Sequence, residues 1–198
     1  MTKGRLEVFS DGVLAIILTI MVLELKAPHG DSWRTLLPLV PTFLSYVLSY
    51  LNIAIYWNNH HHLLHAVKQV NGTILWANIH LLFWLSLVPF TTAWMGDNHF
   101  AALPVAVYGV VLSGAGTAYF LLTRSLVHHH GQASLLHSAV GTDLKTKVST
   151  AIVLVAIPLA FLNRWVAFGL YWVVTLSWLV PDRRIERLVG DAKGEPSA

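Results

Sequence analysis

Arg5-Leu6-Glu7-Val8-Phe9-Ser10-Asp11-Gly12-Val13-Leu14-Ala15-Ile16-Ile17-Leu18-Thr19-Ile20-Met21-Val22-Leu23 is the first apolar stretch of the chain. A membrane helix takes about 20 mostly apolar residues, and this segment has that length. It has the outline of a secretory leader, because Lys3 and Arg5 precede the apolar run Gly12–Leu23. Yet Glu7 and Asp11 sit inside it, and Glu24-Leu25-Lys26-Ala27-Pro28 offers no small-x-small cleavage site. The segment therefore reads as a retained first membrane helix, ended by Pro28, His29 and Gly30.

The rest of the chain agrees. Of 198 residues, 55% are hydrophobic and 12% charged, about half the charge of an ordinary soluble domain. This excludes disorder, collagen and coiled coil and argues against a soluble enzyme. Six spans are predicted, at about 6–25, 36–58, 74–96, 102–123, 147–162 and 165–180. The last two form a tight hairpin across Asn163-Arg164. The fold class is an all-α membrane protein, a single six-helix domain over 1–198 with a short cytoplasmic tail at 181–198. Lys3, Arg5, Lys68, Arg124, Lys145, Lys147, Arg183, Arg184, Arg187 and Lys193 fall on one side, against Lys26, Arg34 and Arg164 on the other. Ten against three puts both termini in the cytoplasm. A net charge of +3 is too small to argue for nucleic acid, and the lack of cysteine removes disulfides and thiolate chemistry.

Ionisable groups inside a span normally face protein and have partners, which makes Asp11 the first residue to explain. At about 100° per residue, Asp11 lies about 140° from Ile16. Ile16, Ile20 and Leu23 share one stripe by their spacing, and Thr19 flanks it. If that stripe lines a pathway, Asp11 points away from it. Asp11 is thus read as a polar pin between helices rather than an ion ligand.

The start of helix 1 resembles the signature of the transmembrane protein 175 family. Arg5-x3-Phe9-Ser10-Asp11 is followed by Gly12 and an apolar helix ending Met21-Val22-Leu23-Glu24-Leu25. The resemblance continues in Trp57-x2-His60-His61, Asn78 and Pro89-Phe90. It implies a potassium channel without the Thr-Val-Gly-Tyr-Gly filter of ordinary potassium channels, a sequence this chain lacks. Animal members carry two motif copies; this chain has one and looks like the bacterial, homotetrameric form, sited in a bacterial or archaeal plasma membrane. Four first helices would then line the pore. The constriction of the family maps onto Ile16, with Ile20 and Leu23 as further apolar rings, and a pore-facing threonine onto Thr19. Arg5, Phe9, Ser10 and Asp11 map onto a motif network joined by Trp57, His60, His61 and Asn78. Physically, a ring of isoleucines can dewet and block ions until it widens. Thr19 hydroxyls would favour cations but separate K⁺ from Na⁺ only modestly. The implied partners are K⁺, other monovalent cations, the bilayer and further copies of the chain, with no cofactor.

The histidines invite a metal reading. His61 and His65 are spaced i, i+4 beside His60 and His62, but no His-Glu-x2-His motif and no nearby carboxylate completes a site. They read as a polar helix terminus, with no metal. The connection Arg124–Thr146, carrying His128, His129, His130 and His137, reads as a solvated loop. His80 and Asn78 read as interhelical hydrogen bonders, and Gly109, Ser113, Gly116 and Thr117 as small packing positions. The alternative function is a proton-coupled carrier of a small molecule or cation with Asp11, His80 and Glu24 as relay. No repeat and no broken span in matching halves supports it. A histidine-based membrane enzyme ranks below both.

Overall fold

The structure, a computed structural model, describes residues 2–65, 67, 69–130 and 144–179. The predicted tail at 181–198 and His137 lie outside these residues. The described residues are mostly helical and contain no strand. In hydrocarbon every backbone N–H and C=O must find its partner within the same segment, and the helix is the open-chain solution.

Helix α1 covers Lys3–Leu23, and a short turn of helix α2 covers Trp33–Leu36. Helix α3 runs Val40–His65, α4 Gly72–Ser86 and α5 Val88–Asp97. Helix α6 runs Ala102–His130, α7 Leu144–Leu162 and α8 Arg164–Leu179. Five segments are long and apolar enough to cross a membrane, α4 and α5 together forming one of them. With the shorter α8 they make the six-helix layout read from the sequence.

Three boundaries depart from that reading. The second span does not stop near residue 58 but continues to His65, so the histidine cluster, read as a polar helix terminus, occupies the last turns of the helix. The third is two helices broken at Leu87, with Pro89 in the first turn of α5. A proline there cannot donate to the carbonyl of Leu85, and its ring clashes with it. The fourth continues through His130, so His128, His129 and His130 belong to a helix and not to a solvated loop. In each extension polar residues continue the backbone ladder past the apolar run that the sequence reading measured.

Packing divides into two clusters. One joins α1, α3, α4 and the second half of α6 through Leu14, Ile53, Leu81, Leu85 and Leu122. The other joins α3, α5, the first half of α6, α7 and α8 through Leu48, Met95, Tyr108, Ala156 and Tyr171. Small residues allow the close approaches: a Cβ on Gly96 would stand 2.6 Å from the Cα of Thr42, and one on Gly114 would run into the Trp84 ring. His99 and Phe100 both have positive φ, 48° and 57°, in the turn between α5 and α6. That left-handed turn seats Phe100 against Phe168, ring centroids 4.4 Å apart. A polar network the sequence reading did not single out crosses the second cluster. Thr92 Oγ1, whose proton goes to the carbonyl of Val88 (2.6 Å), lies 2.6 Å from Ser49 Oγ; Ser49 Oγ lies 3.0 Å from Tyr108 Oη, and Asn52 Nδ2 donates to Thr175 Oγ1 (2.9 Å).

The cysteine-free chain makes the topology directly testable with single cysteines and a membrane-impermeant maleimide. Thr2→Cys and Gln69→Cys are expected to label from one side. Asp31→Cys, Asn98→Cys and Asn163→Cys are expected to label only from the other. Labelling of Asn163→Cys from the same side as Thr2→Cys would remove the α7–α8 hairpin.

Candidate pore-lining helix and its polar clamp

Helix α1 has two unlike faces. Leu6, Ser10, Leu14, Ile17 and Met21 are buried, at spacings of three and four that make one stripe. They pack against α3, α4 and α5. The opposite side is uncovered: Ile16 is 60% exposed, Ile20 43% and Leu23 73%, with Phe9 and Thr19 also exposed. Thr19 donates its hydroxyl proton to the carbonyl of Ala15 (2.8 Å). Its oxygen lone pairs are thereby left facing outward from the helix.

The buried face is fastened by hydrogen bonds that meet at Asn78. Ser10 Oγ donates to the carbonyl of Leu6 (2.8 Å) and accepts from Asn78 Nδ2 (2.9 Å). Asn78 Oδ1 lies 2.7 Å from His60 Nε2. With the amide nitrogen committed to Ser10, the amide oxygen must accept, so His60 carries a proton on Nε2. Ser10 and Asn78 are fully buried and His60 nearly so. Two short bonds, Asn78 to Ser10 and His60 to Asn78, thus tie α1, α3 and α4 at one point.

A second contact lies beside the clamp. Asp11 Oδ1 accepts from Trp57 Nε1 (3.0 Å), on a part of α1 turned away from Ile16. The Trp57 ring stacks on His61 (centroids 6.0 Å), and His61 stacks on His65 (6.0 Å). Lys3 reaches the carbonyl of His65 (3.5 Å) and pairs with Glu7 (3.6 Å). Of the motif residues, Arg5 is exposed, its side chain meets no hydrogen-bond or ion-pair partner among the described residues, and it does not reach Asp11. Phe9 lies on the uncovered side. His80 departs from the interhelical reading, since it accepts from Trp84 Nε1 one turn on in its own helix (3.0 Å). Among the described residues no group of three or more His, Asp or Glu side chains could hold a metal ion.

Comparison with known proteins fits this architecture. A family model described as the endosomal/lysosomal potassium channel TMEM175 matches residues 5–89, a range that contains every residue of the clamp. A protein of Chryseobacterium sp. (strain P1-3), named a potassium channel, is 52% identical over 94% of this chain and 97% of its own length. This chain belongs to the TMEM175 family. A crystal structure described as that of a lysosomal potassium-selective channel TMEM175 homolog from Chamaesiphon minutus superposes with a TM-score of 0.76. It is 26% identical and covers 92% of this chain and 97% of its own. The mouse relative, named an endosomal/lysosomal proton channel, is 27% identical over 64% of this chain and 26% of its own length. TMEM175 proteins are ion channels, so this chain is a multi-pass membrane protein and not an enzyme.

The clamp predicts an order of mutational cost. Asn78→Ala leaves His60 without its acceptor in a dry site and is expected to cost about 1–3 kcal/mol. Ser10→Ala should cost less, because the deleted hydroxyl also takes its own proton with it and Asn78 keeps His60. Thermal unfolding of the two variants in detergent, read against wild type, checks the order.

Proposed function

We propose that four copies of this chain surround a pore lined by α1 and pass K⁺ passively, in preference to Na⁺. The observation that carries the reading is the asymmetry of α1. Its polar and apolar anchors all lie on one face, while Ile16, Thr19, Ile20 and Leu23 stand uncovered on the other. Four such helices would set rings of Ile16, Ile20 and Leu23 around an axis. A ring of branched apolar side chains excludes water when narrow, so Ile16 acts as gate and narrowest point. Thr19 would add four hydroxyl oxygens free to touch a partly dehydrated cation. Hydroxyl oxygens without a carbonyl cage give modest K⁺ over Na⁺ preference. The names of the bacterial relatives support K⁺ as the permeant ion. The ten-to-three excess of basic residues supports cytoplasmic termini in a bacterial or archaeal plasma membrane. The whole chain works as one channel unit in the bilayer, with no cofactor and with Arg5, Asp11, Trp57 and His61 shaping the cytoplasmic mouth.

Proton passage is the second reading, favoured by the naming of the animal relatives. Both readings are tested in proteoliposomes holding purified protein, with K⁺, Na⁺ and H⁺ flux followed separately. Wild type is expected to carry K⁺ down its own gradient with no proton gradient applied. Ile16→Asn is expected to raise that flux severalfold, and Thr19→Val to lower the K⁺ to Na⁺ ratio. Flux unchanged by Ile16→Asn would take Ile16 out of the pathway. Flux only under a proton gradient would support the carrier that uses Asp11, His80 and Glu24.

A further inference from the structure

On the side of the membrane shared with the N-terminus, the start of α4 and the end of α6 leave an open cleft of about 290 Å³. Leu121, Arg124, Ser125 and His128 line it from a single stripe of α6, at spacings of three and four. Asn71 and Thr73 line it from the start of α4, and among the described residues no carboxylate lines it. Arg124 is exposed and has no ion pair among the described residues.

Two features prepare this cleft for an anion. Asn71 caps α4 by accepting from the N–H of Ile74 (2.9 Å), and its Nδ2 lies 3.2 Å from Nδ1 of His129 across the cleft. The cap holds the first turn of α4 in place, while the amides of Gly72 and Thr73 have no acceptor among the described residues. The positive end of a fifteen-residue helix therefore opens on the same space as the Arg124 guanidinium. The membrane side of the cleft is apolar. Leu121 is 42% exposed and its neighbour Phe120 is 48% exposed. A free phosphate would have no use for such a wall, whereas a lipid presents a phosphate and an acyl chain together.

We propose that this cleft binds the phosphate of an anionic phospholipid from the leaflet next to the basic loops, with Arg124 as its principal ligand. The first amides of α4 and the hydroxyl of Thr73 supply further donors, whereas the Ser125 proton is already given to the carbonyl of Leu121 (2.8 Å), and the acyl chain descends over Leu121 and Phe120. Basic pockets between membrane helices at this depth suit such headgroups. The site lies on the α4–α6 contact, so an occupant would brace the helix that carries Asn78.

The test is titration of the purified full chain in neutral detergent with short-chain phosphatidylglycerol, phosphatidylcholine of equal chain length, and inorganic phosphate. The thermal midpoint of unfolding is the readout. Phosphatidylglycerol is expected to raise the midpoint saturably, and the other two are not. Arg124→Gln is expected to weaken the phosphatidylglycerol response about tenfold, the scale of one lost charge-assisted hydrogen bond. Arg34→Gln, on the opposite side, should respond as wild type. His128→Asn provides a second reading should Arg124→Gln fail to fold. Equal responses to the two lipids would overturn the proposal. So would a response to inorganic phosphate as strong as that to phosphatidylglycerol, or a phosphatidylglycerol response unaltered in both variants. None of these readouts depends on which ion the protein conducts.

Discussion

Asn78 holds three helices at a point where no water can replace a lost bond. Its amide donates to Ser10 on α1 and accepts from His60 on α3 while its own backbone belongs to α4. Lipid tails give apolar side chains no reason to prefer one helix neighbour over another, because hydrocarbon surrounds them either way. Van der Waals fit brings helices together, but a buried amide with two directed partners sets the rotation of each helix about its axis. The face that α1 turns inward, and therefore the face it leaves free, follows from this bond set.

Helix α3 is the common element of the two halves of the protein. Its C-terminal half carries His60 to the Ser10–Asn78 clamp, and its N-terminal half carries Ser49 and Asn52 to Tyr108, Thr92 and Thr175. The two networks sit at different depths and use different helices. The first fixes α1, which bears the proposed gate. The second fixes α5, α6 and α8, which form the surrounding frame. The division means that α1 and the frame are held by separate sets of hydrogen bonds.

The chemistry on the free face of α1 is as sparse as a passive pore requires. Between Ile16 and Leu23 the stripe carries no charged group; the exposed Arg5 lies on the same stripe about three turns before Ile16, and Asp11 is held to the side by Trp57. Thr19 has already used its proton on Ala15, which leaves it an acceptor and so suited to cations over anions. A relay for protons would need donors and acceptors along that stripe, and isoleucine and leucine supply neither.

Much of this was legible in the residues. Hydrophobic length and loop charge give the six-helix membrane fold, because burial in lipid acts on each segment almost independently of the others. The spacing of Ile16, Ile20 and Leu23 is a helical stripe in any fold, and Ser10, Asp11 and Asn78 stand out as polar groups inside apolar spans. Which of them meet was not legible. Ser10 and Asn78 are 68 residues apart, and Asn78 and His60 18 apart, so their pairing depends on how whole helices rotate and slide. His80 looks equivalent to Asn78 in the sequence, yet it is exposed and meets Trp84 in its own helix. The helix ends at His65 and His130 escaped a reading based on apolar runs, since backbone hydrogen bonding continues past the last apolar residue. Sequence alone thus determined that the chain crosses the membrane and which stripe of α1 is apolar. Only tertiary structure decided which side of α1 is packed and which is open, because that choice is made by directed hydrogen bonds between helices distant in the chain.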